Sequence, residues 1–305
     1  MSAPAPEFIL HHYDTSPFSE KPRVAFGIKG LAWRSVIQPT IMPKPALVPL
    51  TGGYRRIPVL QIGADIYCDS QVILAEIESR APEPPLVRGG DWAVNIWADR
   101  LFFQATVAVV FGAIGDHVPK EFFADREKLS GRPFDLAAMK AVAAPMKAQW
   151  RAHAGWIEVG LADQDFLGGS TPSLADVSAY MNVWWLSAAA RGEATTLLAI
   201  FPRAGAWRER MRELGHGKRT EMEAAEALRI AAASDPAPPP PHEADPLGLS
   251  PGDKVTVAAE DYGRDPIAGR LVALTSQRVV IAREADALGV LHLHFPRVGY
   301  VIARA

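Results

Sequence analysis

The sequence predicts a multi-domain α+β protein with three folded parts: an α/β domain, an all-helical domain and, beyond a proline-rich linker, a small β-barrel. Three observations carry this. An apolar run with the two-residue period of a strand is broken at Arg56-Ile57-Pro58-Val59-Leu60, turns at Gly63-Ala64-Asp65, and resumes as Ile66-Tyr67-Cys68-Asp69-Ser70 before a helical pattern. From Asp91 the period lengthens to about 3.6 residues. After Ser234-Asp235-Pro236-Ala237-Pro238-Pro239-Pro240-Pro241-His242 the pattern returns to short strands. These breaks place the parts at 1–84, 85–233 and 248–305, with the linker at 234–247.

In order, Phe8 to Tyr13 reads as a strand and Arg23 to Lys29 as a helix closed by Gly30 at C′. Pro22 is tolerable if regular helix begins near Ser19, because N–H groups of the first turn have no intrahelical partner to lose. Trp33 to Gln38 is a second strand, and Thr40 to Tyr54, with three prolines and Gly52-Gly53, is an irregular connection. The hairpin and the helix from Val72 follow, giving βαβ and then ββα. That order is a thioredoxin-like pattern.

The helical part is expected near Asp91–Phe111, Phe134–Leu161, Leu174–Ala188 and Pro202–Leu214, with a last helix near Thr220–Ala233. Ser173 and Asp176 form a capping box ahead of the most apolar of these. The linker is expected to be extended. Beyond it Lys254–Ala258, Ile267–Thr275, Arg278–Arg283, Gly289–Phe295 and Gly299–Ala303 make five short strands, an SH3-like barrel expected to fold independently.

The 305 residues carry 49% hydrophobic and 22% charged side chains with a formal net charge of −2, an ordinary globular balance. No bulk charge points to nucleic acid or to a membrane surface. A single cysteine, Cys68, excludes an internal disulfide and a cysteine zinc cluster, and it reads as a small buried strand residue. The start, Met1-Ser2-Ala3-Pro4-Ala5-Pro6-Glu7, has neither a basic nor an apolar targeting region, so a cytoplasmic location is expected.

Asp69-Ser70 caps a helix, where free N–H groups and the helix dipole suit an anion. With Ser16-Pro17-Phe18-Ser19-Glu20-Lys21, Ile57-Pro58 and Pro172-Ser173-Leu174-Ala175-Asp176, in this order and spacing, the chain resembles the glutathione S-transferase family over roughly its first three quarters. Thioredoxin-like redox proteins carry C-x-x-C where this chain has Ser16-Pro17-Phe18-Ser19. A pocket built for a thiolate but lacking one suits a thiol brought by the ligand.

The resemblance implies that glutathione is that ligand, a substrate with no metal required. It implies that Ser16 donates to the glutathione sulfur, favouring the attacking thiolate. Tyr13 is the main rival for that role, with Thr15 and Ser19 as further alternatives, and plain N-capping is the bland reading of Ser16. The resemblance also implies a cis bond at Ile57–Pro58, pairing of the Ile57 main chain with the cysteinyl unit, and a γ-glutamyl end held by Asp69 and Ser70. A carboxylate suits the α-ammonium, and a helix-capping serine suits the α-carboxylate. Many members carry Leu-Asn-Pro-x-Gly-x-Val-Pro where this chain reads Leu50-Thr51-Gly52-Gly53-Tyr54-Arg55-Arg56-Ile57-Pro58, which leaves open whether Arg55 or Arg56 meets the glycyl carboxylate.

For the second substrate, a small hydrophobic electrophile, the resemblance points to Trp97, Phe102 and Phe103 as pocket lining; tryptophan as core is the alternative. His11-His12 and His292-x-His294 lack partners at metal spacing and read as neutral strand surface. The whole then reads as a cytosolic, homodimeric glutathione transferase without nucleic-acid or membrane partners. The rival is a non-catalytic dimeric adaptor whose barrel binds a protein partner, favoured by the appended barrel and the altered Thr51–Arg56 run.

Overall fold

The computed structural model describes residues 7–305; residues 1–6, on which the expectation about targeting rests, lie outside the described residues. Strand β1 (Ile9–His12) leads into helix α1 (Pro17–Ile28), strand β2 (Ala32–Ile37), a single turn α2 (Val48–Thr51), the hairpin β3 (Val59–Ile62) and β4 (Asp65–Cys68), and helix α3 (Ser70–Arg80). β1 runs parallel to β2 and antiparallel to β3, which pairs antiparallel with β4, giving the thioredoxin-like sheet. Helix α1 opens earlier than Ser19, with Pro17 in its first turn, and Lys29 caps it before Gly30 at φ 62°.

His11 and His12, expected at a strand surface, are buried instead. His11 Nε2 lies 2.9 Å from Gln61 Oε1, His12 Nε2 lies 3.0 Å from Ser35 Oγ, and burial drives both rings to the neutral form, with His11 lowered to about 4 and His12 to about 3. In a central strand both faces are covered, so two-residue alternation carries no surface signal.

The helical part begins with α4 (Asp91–Trp97), a π-helical turn (Ala98–Phe102) and α5 (Phe103–Ile114). A short 3₁₀ turn follows, then α6 (Lys120–Ser130), α7 (Leu136–Ala141), α8 (Ala143–Gly160), α9 (Leu174–Ala189), α10 (Arg191–Leu198) and α11 (Pro202–Glu213). Helices α6 and α10 have no counterpart in the sequence reading. The Ser173–Asp176 capping box forms, and Asp176 also accepts from Leu167 N, Gly168 N and Trp207 Nε1. Residues 91–117 are long and apolar enough to cross a bilayer, but here the segment builds the helical core through Phe102, Ala105, Val109 and Val110.

The last expected helix is split. Lys218–Glu221 forms β5, which returns to pair parallel with β2, and only Ala224–Ala232 is helical (α12).

Strands β6 (Lys254–Ala259), β7 (Ile267–Leu274), β8 (Arg278–Ala285), β9 (Gly289–Pro296) and β10 (Tyr300–Arg304) form the extra β domain, with β10 returning beside β6. It does not stand apart, as the sequence reading expects. β9 pairs parallel with β4, Asp65 opposite His292 and Tyr67 opposite His294, so one ten-stranded sheet runs β10-β6-β7-β8-β9-β4-β3-β1-β2-β5.

One apolar cluster joins Leu271, Ile281, Leu293 and Phe295 of the added strands to Leu47, Val59, Ile66 and Cys68 of the first domain. His294, far from a surface residue, is buried, lies with Nε2 2.8 Å from Asp65 Oδ1 and stacks on Tyr67; Arg278 pairs with Glu76 at 2.8 Å. The proline segment has no regular secondary structure but is tied down, since Ala237 N donates to Asp65 Oδ2 at 2.8 Å.

Because the cluster and the β4–β9 ladder are shared, cutting the linker does not free the β domain. Limited proteolysis within residues 236–241, followed by gel filtration in native buffer, is expected to give both fragments in one peak at the uncut position. Separate elution of a folded C-terminal fragment would restore the independent module.

Candidate functional site

The turn after β1 delivers Ser16 to the head of α1, and it is built by a buried arginine. Arg23 donates to the Tyr13 carbonyl at 3.4 Å and the Asp14 carbonyl at 2.9 Å, while Ser16 N donates to the Tyr13 carbonyl at 3.1 Å. Ser16 Oγ accepts the Ser19 N–H at 3.2 Å, so Ser16 is an N-cap. Capping uses an oxygen lone pair and leaves the hydroxyl proton free to donate. Ser16 and Tyr13 both line a cleft of about 740 Å³ between the first domain and the helices; Thr15 and Ser19 do not.

The opposite wall comes from the hairpin. The Ile57–Pro58 bond is cis, and Ile57, Pro58, Asp69 and Ser70 all line the same cleft. Asp69 caps α3 with φ 100°, a backbone value that non-glycine residues rarely adopt, and its Oδ1 accepts the Gln71 N–H at 2.9 Å. From this strained corner Asp69 and Ser70 both reach the cleft, and the Ser70 hydroxyl meets Lys21 of α1.

Between these walls lies Lys21, fully buried. Its ammonium donates to Ser70 Oγ at 3.2 Å, Asn95 Oδ1 at 2.7 Å and both oxygens of Asp99 at 2.8 and 2.9 Å. Ser178 on α9 donates to the same Asn95 oxygen at 2.9 Å. Burial pushes the Asp99 carboxyl up against the opposing pull of Lys21. Sequence alone gives Lys21 no task, because the partners that bury it lie on other elements.

Arg56 lines the cleft but is engaged: it donates to Asp261 Oδ1 at 3.1 Å and to the Tyr262 carbonyl at 3.0 Å. Arg55 donates to Asp125 at 3.1 Å. Lys44, by contrast, is buried at the cleft wall, donates to the Pro39 carbonyl, and has no carboxylate within ion-pair distance among the described residues. Burial first, then Arg126 and Arg55, lower its ammonium to about 8 against the pull of Asp125. Nothing in the sequence marks Lys44, because the irregular Thr40–Tyr54 connection has no periodicity from which to infer direction.

The apolar side of the cleft is aromatic. Phe18 and Phe103 meet edge-on at 4.7 Å, and Phe103 stacks on Trp185 at 5.6 Å, with Phe111 and Phe134 beyond. Of the expected lining, Phe103 is present. Trp97 and Phe102 turn away: they stack on each other at 5.3 Å and pack with His153 inside the helical core. Adjacent residues on a helix point about 100° apart, so Phe102, the last residue of the π-helical turn, faces the helical core while Phe103 faces the cleft.

Burial raises the Cys68 thiol, an inert group beneath the hairpin. Among the described residues no three His, Cys, Asp or Glu side chains gather as a metal site.

A thioredoxin-like sheet with a cis-proline edge, a serine-headed helix and a helical cap over the cleft is the architecture of the glutathione S-transferases. The family model "Glutathione S-transferase, N-terminal domain" matches residues 10–85, and "Glutathione S-transferase, C-terminal domain" matches residues 140–210. A GST-like protein from Pseudomonas syringae is 35% identical, with 98% of this chain and 99% of that one covered and a TM-score of 0.81. The chain belongs to the glutathione S-transferase family.

A glutathione S-transferase from Rhodospirillum rubrum F11 (21% identity, TM-score 0.55) and FzlA from C. crescentus (25%, TM-score 0.53) cover only 67% and 68% of this chain, and 87% and 88% of their own lengths. Coverage of 98% by the Pseudomonas protein therefore extends the likeness to the added strands. No curated protein matches the sequence.

Lys21 ties α1, α3 and the helical domain together, and removing one partner of a buried pair strands the other. Lys21→Met is expected to cost about 3–5 kcal/mol of stability, read by chemical denaturation. Adding Asp99→Asn should recover part of that loss; a double variant no more stable than Lys21→Met would refute the pairing as its cause.

Proposed function

We propose that the protein is a glutathione transferase that presents glutathione as thiolate to a hydrophobic electrophile. The observation that carries the reading is the convergence of Ser16, Ile57-Pro58, Asp69 and Ser70 on one cleft with an aromatic wall opposite. The Ile57 main chain pairs with the cysteinyl unit, Asp69 takes the α-ammonium, and Ser70 takes the α-carboxylate. The glycyl carboxylate goes to Lys44 in preference to Arg55 or Arg56, because those arginines already hold acidic partners.

Ser16 donates its free hydroxyl proton to the thiolate, with the head of α1 adding its dipole. With an aryl halide, the thiol proton leaves to solvent, the sulfur lone pair forms the new C–S bond, and halide departs with the C–X electrons. Phe103 and Trp185 hold the ring. The protein works as a cytosolic two-fold dimer, as is usual in the family. The adaptor reading is weaker here, because the added strands are committed to the first domain's sheet and their β6–β7 loop faces the cleft.

A hydrogen bond to a charged sulfur is worth about 1.5–3 kcal/mol. Ser16→Ala is therefore expected to cut conjugation with a generic aryl halide about tenfold to a hundredfold while glutathione affinity stays nearly unchanged. Asp69→Ala is expected to damage binding first. Full activity in Ser16→Ala would pass the donor role to Tyr13.

The Lys44 assignment carries a pH signature. The lysine is charged, and holds a carboxylate, below about 8, and that attraction is lost as pH rises through this value. Calorimetry with S-methylglutathione, which has no thiol to titrate, should show affinity falling above pH 8. Lys44→Arg should flatten this fall, and an unchanged profile in that variant would remove Lys44 from the site.

A further inference from the structure

The β6–β7 loop reaches across the cleft to the residues that would hold the γ-glutamyl end. Arg56 Nη1 donates to Asp261 Oδ1 at 3.1 Å and to the Tyr262 carbonyl at 3.0 Å, whereas Arg56 Nη2 stands 3.7 Å from Asp69 Oδ2, outside hydrogen-bond reach. The loop fits closely: at Gly263, with φ 61°, a Cβ would lie 2.8 Å from Leu129 Cδ1 and 3.4 Å from Arg56 Cδ.

From the last strand of the same unit, the Tyr300 hydroxyl donates to Asp69 Oδ2 at 3.0 Å. With its proton so placed, the Tyr300 oxygen receives the Tyr54 hydroxyl at 3.2 Å, completing a buried chain that ends on the carboxylate.

We propose that the C-terminal β domain completes the glutathione site, with Asp261 taking the hydrogen bond of the Arg56 guanidinium so that only a looser ion pair at 3.7 Å reaches Asp69, and Tyr300 fixing the Asp69 carboxylate to receive the α-ammonium. This rests on the cleft being a glutathione site. A carboxylate offers about four acceptor positions. Gln71 N and Tyr300 occupy one on each oxygen, which leaves one on each for the ligand.

The charges agree. Lys21, Arg56 and Arg100 face Asp69, Asp99, Asp261 and Glu260, one carboxylate more than cations, so the corner around Asp69 favours the ligand's α-ammonium while its α-carboxylate goes to Ser70. Without Asp261, Arg56 would tighten its 3.7 Å ion pair with Asp69 into a direct hydrogen bond, and the ammonium would compete with it for the same oxygen. Asp261 and Tyr300 are thus positioning residues in a domain that the glutathione site does not ordinarily need.

The test compares two peptides by calorimetry on the full chain: glutathione, and glutaryl-Cys-Gly, in which hydrogen replaces the α-ammonium. Asp261→Asn, at a partly exposed position, is expected to weaken glutathione roughly tenfold and the glutaryl peptide less than about twofold. Tyr300→Phe should show the same selectivity.

Unchanged affinities in Asp261→Asn, or equal losses for both peptides, would overturn the inference while leaving the glutathione site standing. A parent chain that binds neither peptide at millimolar concentration would remove the glutathione reading itself, and the inference with it.

Discussion

A fully buried ammonium holds the site together. Lys21 leaves water at a cost of several kcal/mol, and that cost is offset only because Ser70, Asn95 and Asp99 meet it from three directions. Ser70 belongs to the hairpin side of the first domain, and Asn95 and Asp99 to the helical domain. The two domains therefore cannot shift without exposing an unpaired charge. Ser16, at the N-cap of the helix that carries Lys21, is fixed by the same constraint, so the spacing between the Ser16 hydroxyl and the Asp69-Ser70 corner is set by packing.

The added strands extend this logic from the other side. By pairing β9 with β4, the C-terminal β domain lies against the strand that delivers Asp69, and Tyr300 and Asp261 fall within reach of the site. An appended domain linked only by its proline segment would sample many orientations. A ladder, a shared apolar cluster and the Glu76–Arg278 pair select one.

What the sequence made legible was local. The cis-proline corner, the Asp69-Ser70 cap, the serine at the head of α1 and the strands of the added domain each announce themselves within a few residues. Contacts over long separations did not. Tyr300 and Asp69 lie 231 positions apart, and no periodicity links them. Lys21 reads as an ordinary charged residue because its burial depends on an asparagine and an aspartate in another domain. Phe102 is expected at the cleft because the resemblance places its helix there, and which of two adjacent phenylalanines faces the cleft depends on a helix phase that composition does not show. The helix expected across Thr220 failed for a related reason: β5 exists because β2 offers an open edge, not because Lys218–Glu221 favours a strand by itself.

The central claim is that this cleft stabilises a thiolate brought by its ligand. Its most direct test is an ultraviolet titration of the thiolate absorbance of glutathione bound to the protein, against free glutathione in the same buffer. The account predicts that bound glutathione ionises well below its free value, and that Ser16→Ala moves it back toward that value. A bound thiol that titrates with the free one would contradict it.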